Sequence, residues 1–390
     1  MYPATRHHTA ALAVFLGALV MSAPGLGPAA ALAQTPATPV EYHWQGAGTG
    51  GNMAADPNDP NTWWNQPGNW TEGVVPGFAD AAILSMSNAG RVYVQDANVA
   101  SCTVDGPATD AALAMTGGSF FVGDLQLGEQ SFGQAIQSGG FVSIAKSSTL
   151  GYEPSAYGTY LLSGGSLALS RASNPLNPNS EYVGWSGHGS FVQTGGTHTL
   201  GYYANLSVGY AQGSTGTYLL QDGQLVLHRS PMGVTGVSEY VGHSGAGYFT
   251  QTGGSHILRA GAQLQIGNAP ESTGIYELRG GSLAGNVTVN PTGTFRQTGG
   301  TFEGSASGPG TYYLENGVVW GSLGGTVCQT GGSARIGNLP TKYDLRGGET
   351  LCKVYDEVNI EGQSHQSGGQ LTIDASPART QEVIIRHEGT

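Results

Sequence analysis

Residues 181–198 read EYVGWSGHGSFVQTGGTH, and residues 239–256 read EYVGHSGAGYFTQTGGSH. The second stretch repeats the first at an offset of 58 residues, and the same offset carries GTYLL at 158–162 onto GTYLL at 216–220 and LSVG at 206–209 onto LQIG at 264–267. Agreement at one constant offset in three separate stretches marks an internal repeat, the sequence signature of a stacked architecture.

Working outward, a finer half-repeat centred on a Gly-Gly pair follows the pattern G-x-[YF]-x-[LQ]-x-G-G-x-[L/H]. Twelve copies occur, with the first glycine or its stand-in at Gly117, Gly139, Gly164, Gly195, Asp222, Gly253, Gly280, Gly299, Asn316, Gly331, Gly347 and Gly368. Asp and Asn tolerate turn conformations, so the substitutions support a turn at every copy. Two positions earlier, Met115, Gln137, Leu162, Gln193, Leu220, Gln251, Leu278, Gln297, Leu314, Gln329, Leu345 and Gln366 alternate between a long apolar residue and glutamine. Four positions earlier, the apolar-type copies mostly carry Tyr (160, 218, 276, 312, 343) and the glutamine-type copies favour Phe (191, 249, 295). Strand side chains alternate with period two, so these two positions share one face. A second short strand follows each turn, as in Leu167/Leu169 and Leu225/Leu227.

No half-repeat holds enough apolar surface to stand alone. Stacking buries a continuous column while backbone hydrogen bonds run from coil to coil. The expected fold is therefore an all-β, right-handed parallel β-helix (β-solenoid) of about twelve half-repeats. Spacings in the twenties suit one coil of three short strands, and the shorter C-terminal spacings suit a slimmer coil. The alternative is a 58-residue coil with glutamine stacked on glutamine as an amide ladder. Contact of Gln193 with Leu220 rather than with Gln251 separates the two. The long copies carry extra residues, 170–180 and 229–238, that read as projecting loops.

Composition agrees. Of 390 residues, 65 are glycine, only 10% are charged and 39% are hydrophobic, which favours strands and tight turns over helices or disorder. A net charge of −12, with three lysines (146, 342, 353) and no basic cluster, excludes a nucleic-acid partner. Residues 1–33 read as a signal peptide: Arg6, His7 and His8, then AALAVFLGALVM at 10–21, then an A-x-A site at 31–33. No later apolar run is long enough for a transmembrane helix. The expected divisions are this leader, a Trp-rich β cap at 34–110, the solenoid at 111–375, and a tail or capping strand at 376–390 that includes Val383-Ile384-Ile385. An uncovered last coil would let chains associate end to end.

The pattern GTYLLSGGSL at 158–167 and FVQTGGTH at 191–198, with YVG and SVG steps between, resembles the bacterial secreted and surface β-strand repeat proteins labelled autotransporter-associated or PEP-CTERM-type. The resemblance covers roughly 113–373, and WWNQPGNW at 63–70 with PG at 76–77 and DAAI at 80–83 is similar to the opening segment of such proteins. It implies export and a surface, structural or adhesive role without a defined reaction. The chain departs from that group at its C-terminus, where no β-barrel translocator, sorting helix or docking calcium repeat is found.

Candidate sites each have a plainer alternative. His198 and His256 recur at 58 and suit a metal or acid–base role, yet they occupy a column that elsewhere holds Phe, Val or Leu, so a structural role is expected. Glu181 and Glu239 would suit glycoside cleavage if about 5–9 Å apart, but catalysis needs one asymmetric constellation rather than a repeated residue. Asp56, Asn58, Asp59 and Asn61 offer calcium ligands or plain turns. Trp44, Trp63, Trp64 and Trp70 gather four of six tryptophans. Trp63, Trp64 and Trp70 are candidate glycan contacts, but the expected role is a plug over the first coil. Cys102, Cys328 and Cys352 are expected as small unpaired residues, with a Cys328–Cys352 bridge as the alternative. No nucleophile elbow, zinc-protease, C-x-x-C or phosphate-loop motif occurs. No catalytic residue, cofactor or metal is expected. An extracellular glycan or a cell-envelope component is the expected partner class, and a polysaccharide-active or carbohydrate-binding β-helix is the alternative function.

Overall fold

A computed structural model describes residues 39–45, 64–85, 90–107, 111–173, 177–228, 237–336, 342–354 and 363–375. The leader, the Asp56–Asn61 turns, Trp63, the loop at 229–236 and the tail at 376–390 lie outside the described residues.

Thirty strands and one short 3-10 turn at Pro67–Asn69 make up the described elements, and the strands join into one extended sheet system. Every strand-to-strand ladder is parallel, and each strand from Phe141–Leu150 to Ser255–Leu258 pairs with the strand three elements further along. Tyr157–Leu162 lies between Phe132–Gln137 and His188–Gln193, which in turn lies beside Thr215–Leu220. Ser166–Leu169 pairs with Thr197–Leu200, then Gln224–Leu227, then Ser255–Leu258. Asn179–Val183 pairs with Ala204–Val208, then Val237–Val241, then Ala262–Ile266. Three faces therefore stack one rung at a time, the register of a parallel β-helix with three strands per coil. Farther along, Gly293–Ser307 runs as one bent strand through all three faces. Among the described residues the third face ends where Ala306 meets Leu323, and later rungs show only the first two faces.

The half-repeat is one coil. Gln193 is in register with Leu162 on one side and Leu220 on the other, and Leu220 is in register with Gln251. Glutamine never lies on glutamine, so the amide ladder of the 58-residue alternative is absent. The Gly-Gly corner explains itself in the second residue of the pair. All twelve copies place that glycine at positive φ, between +63° for Gly254 and +96° for Gly317. A side chain would be strained there, whereas the first position accepts Asp222 and Asn316, whose Oδ1 atoms accept hydrogen bonds from the following glycine N–H at 2.7 and 2.8 Å.

Inside the first face, Tyr160, Phe191, Tyr218, Phe249 and Tyr276 form a buried ring column. Successive centroids are 4.6–5.1 Å apart and successive planes are 10° or less out of parallel. The spacing is that of adjacent strands, about 4.8 Å. Each buried ring stabilises the stack by roughly 1.5–3 kcal/mol through removal from water. The second and third faces contribute Leu, Val and Ile from alternate positions, giving one continuous core.

Stacking begins upstream of the sequence repeat. Ala97–Asp105 pairs in parallel with Ala81–Ser85 on one side and Ser119–Leu127 on the other. The 34–110 segment is thus partly built from rungs, with the tryptophans at its start.

Candidate functional site

Among the described residues, a buried set of titratable side chains lies inside the coil. Glu181 sits on the third face, His198 on the second face of the next coil, Gln193 on the first face of that coil, and Tyr218 on the first face of the coil after it. All four are buried. Their inward direction follows from strand alternation: His198 is in register with Leu167 and Leu225, and Glu181 with Ser148 and Leu206.

Their contacts fix the direction of each hydrogen bond. The Gln193 amide donates to the carbonyls of Gly196 at 3.3 Å and Gln224 at 3.0 Å, which leaves Oε1 as the acceptor. The Tyr218 hydroxyl donates to that Oε1 at 2.8 Å. A hydroxyl has one proton, so the Tyr218 oxygen accepts from His198 Nδ1 at 3.0 Å. His198 Nε2 then faces Glu181 Oε2 at 2.9 Å, and with Nδ1 already protonated this contact requires a proton between the two atoms. Whichever atom holds it, the pair is neutral overall, the form in which two ionisable groups are tolerated in a dry interior.

The 58-residue repeat builds the same network again. His256 Nδ1 meets the Tyr276 hydroxyl at 3.0 Å, and that hydroxyl donates to Gln251 Oε1 at 2.7 Å. His256 Nε2 lies 2.8 Å from Glu239 Oε2, but without the alignment of a hydrogen bond. The Glu181 Oε1 atom and both Glu239 carboxylate oxygens lack hydrogen-bond partners. Burial pushes the Tyr218 and Tyr276 hydroxyls well above the usual phenol range, and the nearby carboxylates add to it, so both remain proton donors.

The Gln–Tyr half of the network recurs without a histidine. Tyr160 donates to Gln137 Oε1 at 2.7 Å, Tyr312 donates to Gln297, and Tyr343 donates to Gln329. The strict alternation of apolar and glutamine copies is thereby explained: Gln137, Gln193, Gln251, Gln297 and Gln329 each accept from the tyrosine one coil later and donate to backbone at the following turn. The signal was present in the sequence, because every Tyr copy follows a glutamine copy.

As a chemical site the arrangement is closed. Glu181 and Glu239 are 1% and 0% exposed, and Leu206 stands between them in the ladder, so they cannot flank a glycosidic bond. No cluster of three His, Cys, Asp or Glu able to hold a metal occurs among the described residues. The histidines tie coils together.

The described tryptophans of the N-terminal cluster lie inside the core. Trp64 and Trp70 are 1% and 0% exposed. Trp70 packs edge-on against Trp44 at 5.2 Å and Trp64 at 4.8 Å, and Trp64 meets Phe120 at 5.7 Å. Trp70 Nε1 donates to the Trp64 carbonyl at 2.9 Å. With their rings packed inside the core, neither indole offers a face on which a sugar could stack; they plug the first coils. Cys102 is buried and free, its thiol pushed up by burial, and Cys328 is also free, so the Cys328–Cys352 bridge is not formed.

No described helix is long and apolar enough to cross a membrane. Comparison with protein-family models, curated proteins and solved structures finds no match.

Proposed function

We propose that the chain is a secreted or cell-surface structural protein, a rod that presents its corners and outer faces for adhesion and carries out no reaction. The observation that carries this reading is the fate of its best acid–base groups. Two copies of a His–Glu–Tyr–Gln set exist, both closed to solvent and both used to tie successive coils. A repeated, sealed set suits cohesion and offers no substrate an entry. The leader-like residues 1–33 and the resemblance to bacterial surface repeat proteins support export.

Expression of the full chain in a bacterial host tests this. The mature protein is expected outside the cytoplasm with residues 1–33 removed, elongated in small-angle scattering, and silent on a panel of neutral and acidic polysaccharides. Retention in the cytoplasm, or release of reducing ends or unsaturated products, would overturn it.

A further inference from the structure

The corner joining the third face to the first alternates in length. It is long at 151–157, 209–215 and 267–273 and short at 184–188 and 242–246. A short corner between two long ones lies at the bottom of a notch. Over 242–246 the notch is a groove of about 530 Å³, with Tyr210, Gln212, His243, Ser244, Pro270 and Glu271 among its lining residues. That volume falls within the range of about 300–1,000 Å³ usual for small-molecule sites.

Two positions separate this corner from its counterpart in the preceding 58-residue unit: Trp185 and His188 stand in the first where His243 and Ala246 stand in the second. Both rings stack on Tyr210, the indole at 4.6 Å and the imidazole at 4.9 Å, so they hold equivalent places on either side of it. The smaller imidazole occupies less of the notch. His243 Nδ1 lies 3.1 Å from Ser244 Oγ, and burial lowers the ring's affinity for a proton, which favours its neutral form. Across the opening, Gln212 Nε2 donates to Glu271 Oε2 at 2.6 Å, a clasp between the two long corners.

The lining therefore combines ring surface, a neutral imidazole, a hydroxyl, an amide and one carboxylate, and no lysine or arginine lines it. An anion would meet Glu271 and a chain of net charge −12 without a compensating cation. A ligand whose hydroxyls both donate and accept, and whose C–H face packs on rings, satisfies every group. We propose that this groove binds a neutral saccharide.

The proposal rests on the extracellular reading above only for where such a saccharide is met. The test is the full chain on an array of neutral, amino and uronic-acid oligosaccharides, beside His243→Trp and Gln212→Ala. Neutral oligosaccharides are expected to bind the wild type. His243→Trp is expected to weaken that binding at least tenfold with an unchanged thermal midpoint, because Trp185 already fits the equivalent corner. Should His243→Trp fail to fold, Gln212→Ala, an exposed change, is expected to weaken binding several-fold. No neutral glycan bound by the wild type, retention of charged glycans alone, or equal binding by the folded variants overturns the groove. Loss of the groove with export and elongation intact leaves the structural role standing.

Discussion

Replacing His198 by leucine tests the buried pair by a double-mutant cycle. The new side chain would sit between Leu167 and Leu225, so its shape suits the column. The loss falls on Glu181, which is 1% exposed and has no hydrogen-bond partner for its other oxygen. Removing one member of a buried ion pair costs about 3–5 kcal/mol, because the remaining charge has neither water nor partner. Glu181→Leu alone should cost a similar amount by stranding the imidazole. Combined, the two changes extend an apolar column past Leu206, and such replacements are often neutral or stabilising by about 1–4 kcal/mol. The double variant is therefore expected near or above wild type, giving a coupling energy of roughly 3 kcal/mol or more. Urea unfolding followed by circular dichroism reads the midpoints, with equal slopes required for the comparison. Losses that simply add, or single variants within about 0.5 kcal/mol of wild type as at an exposed site, would refute the burial of this pair.

Three further outcomes follow. Tyr218→Phe orphans both Gln193 Oε1 and His198 Nδ1, whereas Tyr312→Phe orphans only the Gln297 acceptor, so the first should be worse by about 1–3 kcal/mol in the same assay, and equal losses would contradict the network. Gly189→Ala should prevent folding, because its Cβ would stand 1.9 Å from the Gly184 nitrogen and 2.5 Å from the Val183 carbonyl carbon; soluble protein with a wild-type midpoint would contradict the close approach. His243 should titrate by NMR below 6.5, because burial disfavours its charged form. The sign follows: its folded affinity for protons is lower than its unfolded affinity, so its contribution weakens stability as pH falls through 6.5, and a midpoint at or above 6.5 would count against its half-buried place.

Much of the fold was legible because it is written locally. The Gly-Gly pairs announce the corners, the period-two pattern announces the inward residues, and the aromatic at position −4 announces the ring column; all three reappear in the fold, as Gly196, Leu225 and Phe191 illustrate. The coil length was read from spacing rather than from pattern: Gln193 opposite Leu220 and Gln193 opposite Gln251 satisfy the same local pattern, spacings in the twenties favour the first, and the register has it. The meeting of Glu181 with His198 could not be read, since the two lie on different faces of successive coils and no helical or strand spacing brings them together. The tryptophans left two readings side by side for another reason. A cluster of indoles suits a binding surface or a plug, and the packing of Trp64 on Phe120 is a tertiary contact that no motif shows. The groove over His243 was invisible as a motif, its trace being a histidine and an alanine where the preceding unit has Trp185 and His188.

The most direct measurement is disulfide trapping on the outer surface of the first face. Ser190 and Thr217 are in register on adjacent strands, and Thr217 and Tyr248 on the next adjacent pair. Adjacent strands lie about 4.8 Å apart and alternate strands about twice that, while a disulfide needs Cα atoms within about 7 Å. Ser190→Cys with Thr217→Cys should therefore oxidise readily to an intramolecular bridge, and Ser190→Cys with Tyr248→Cys should not. Bridging of the 190–248 pair instead would place whole 58-residue units on one another and contradict the one-coil half-repeat.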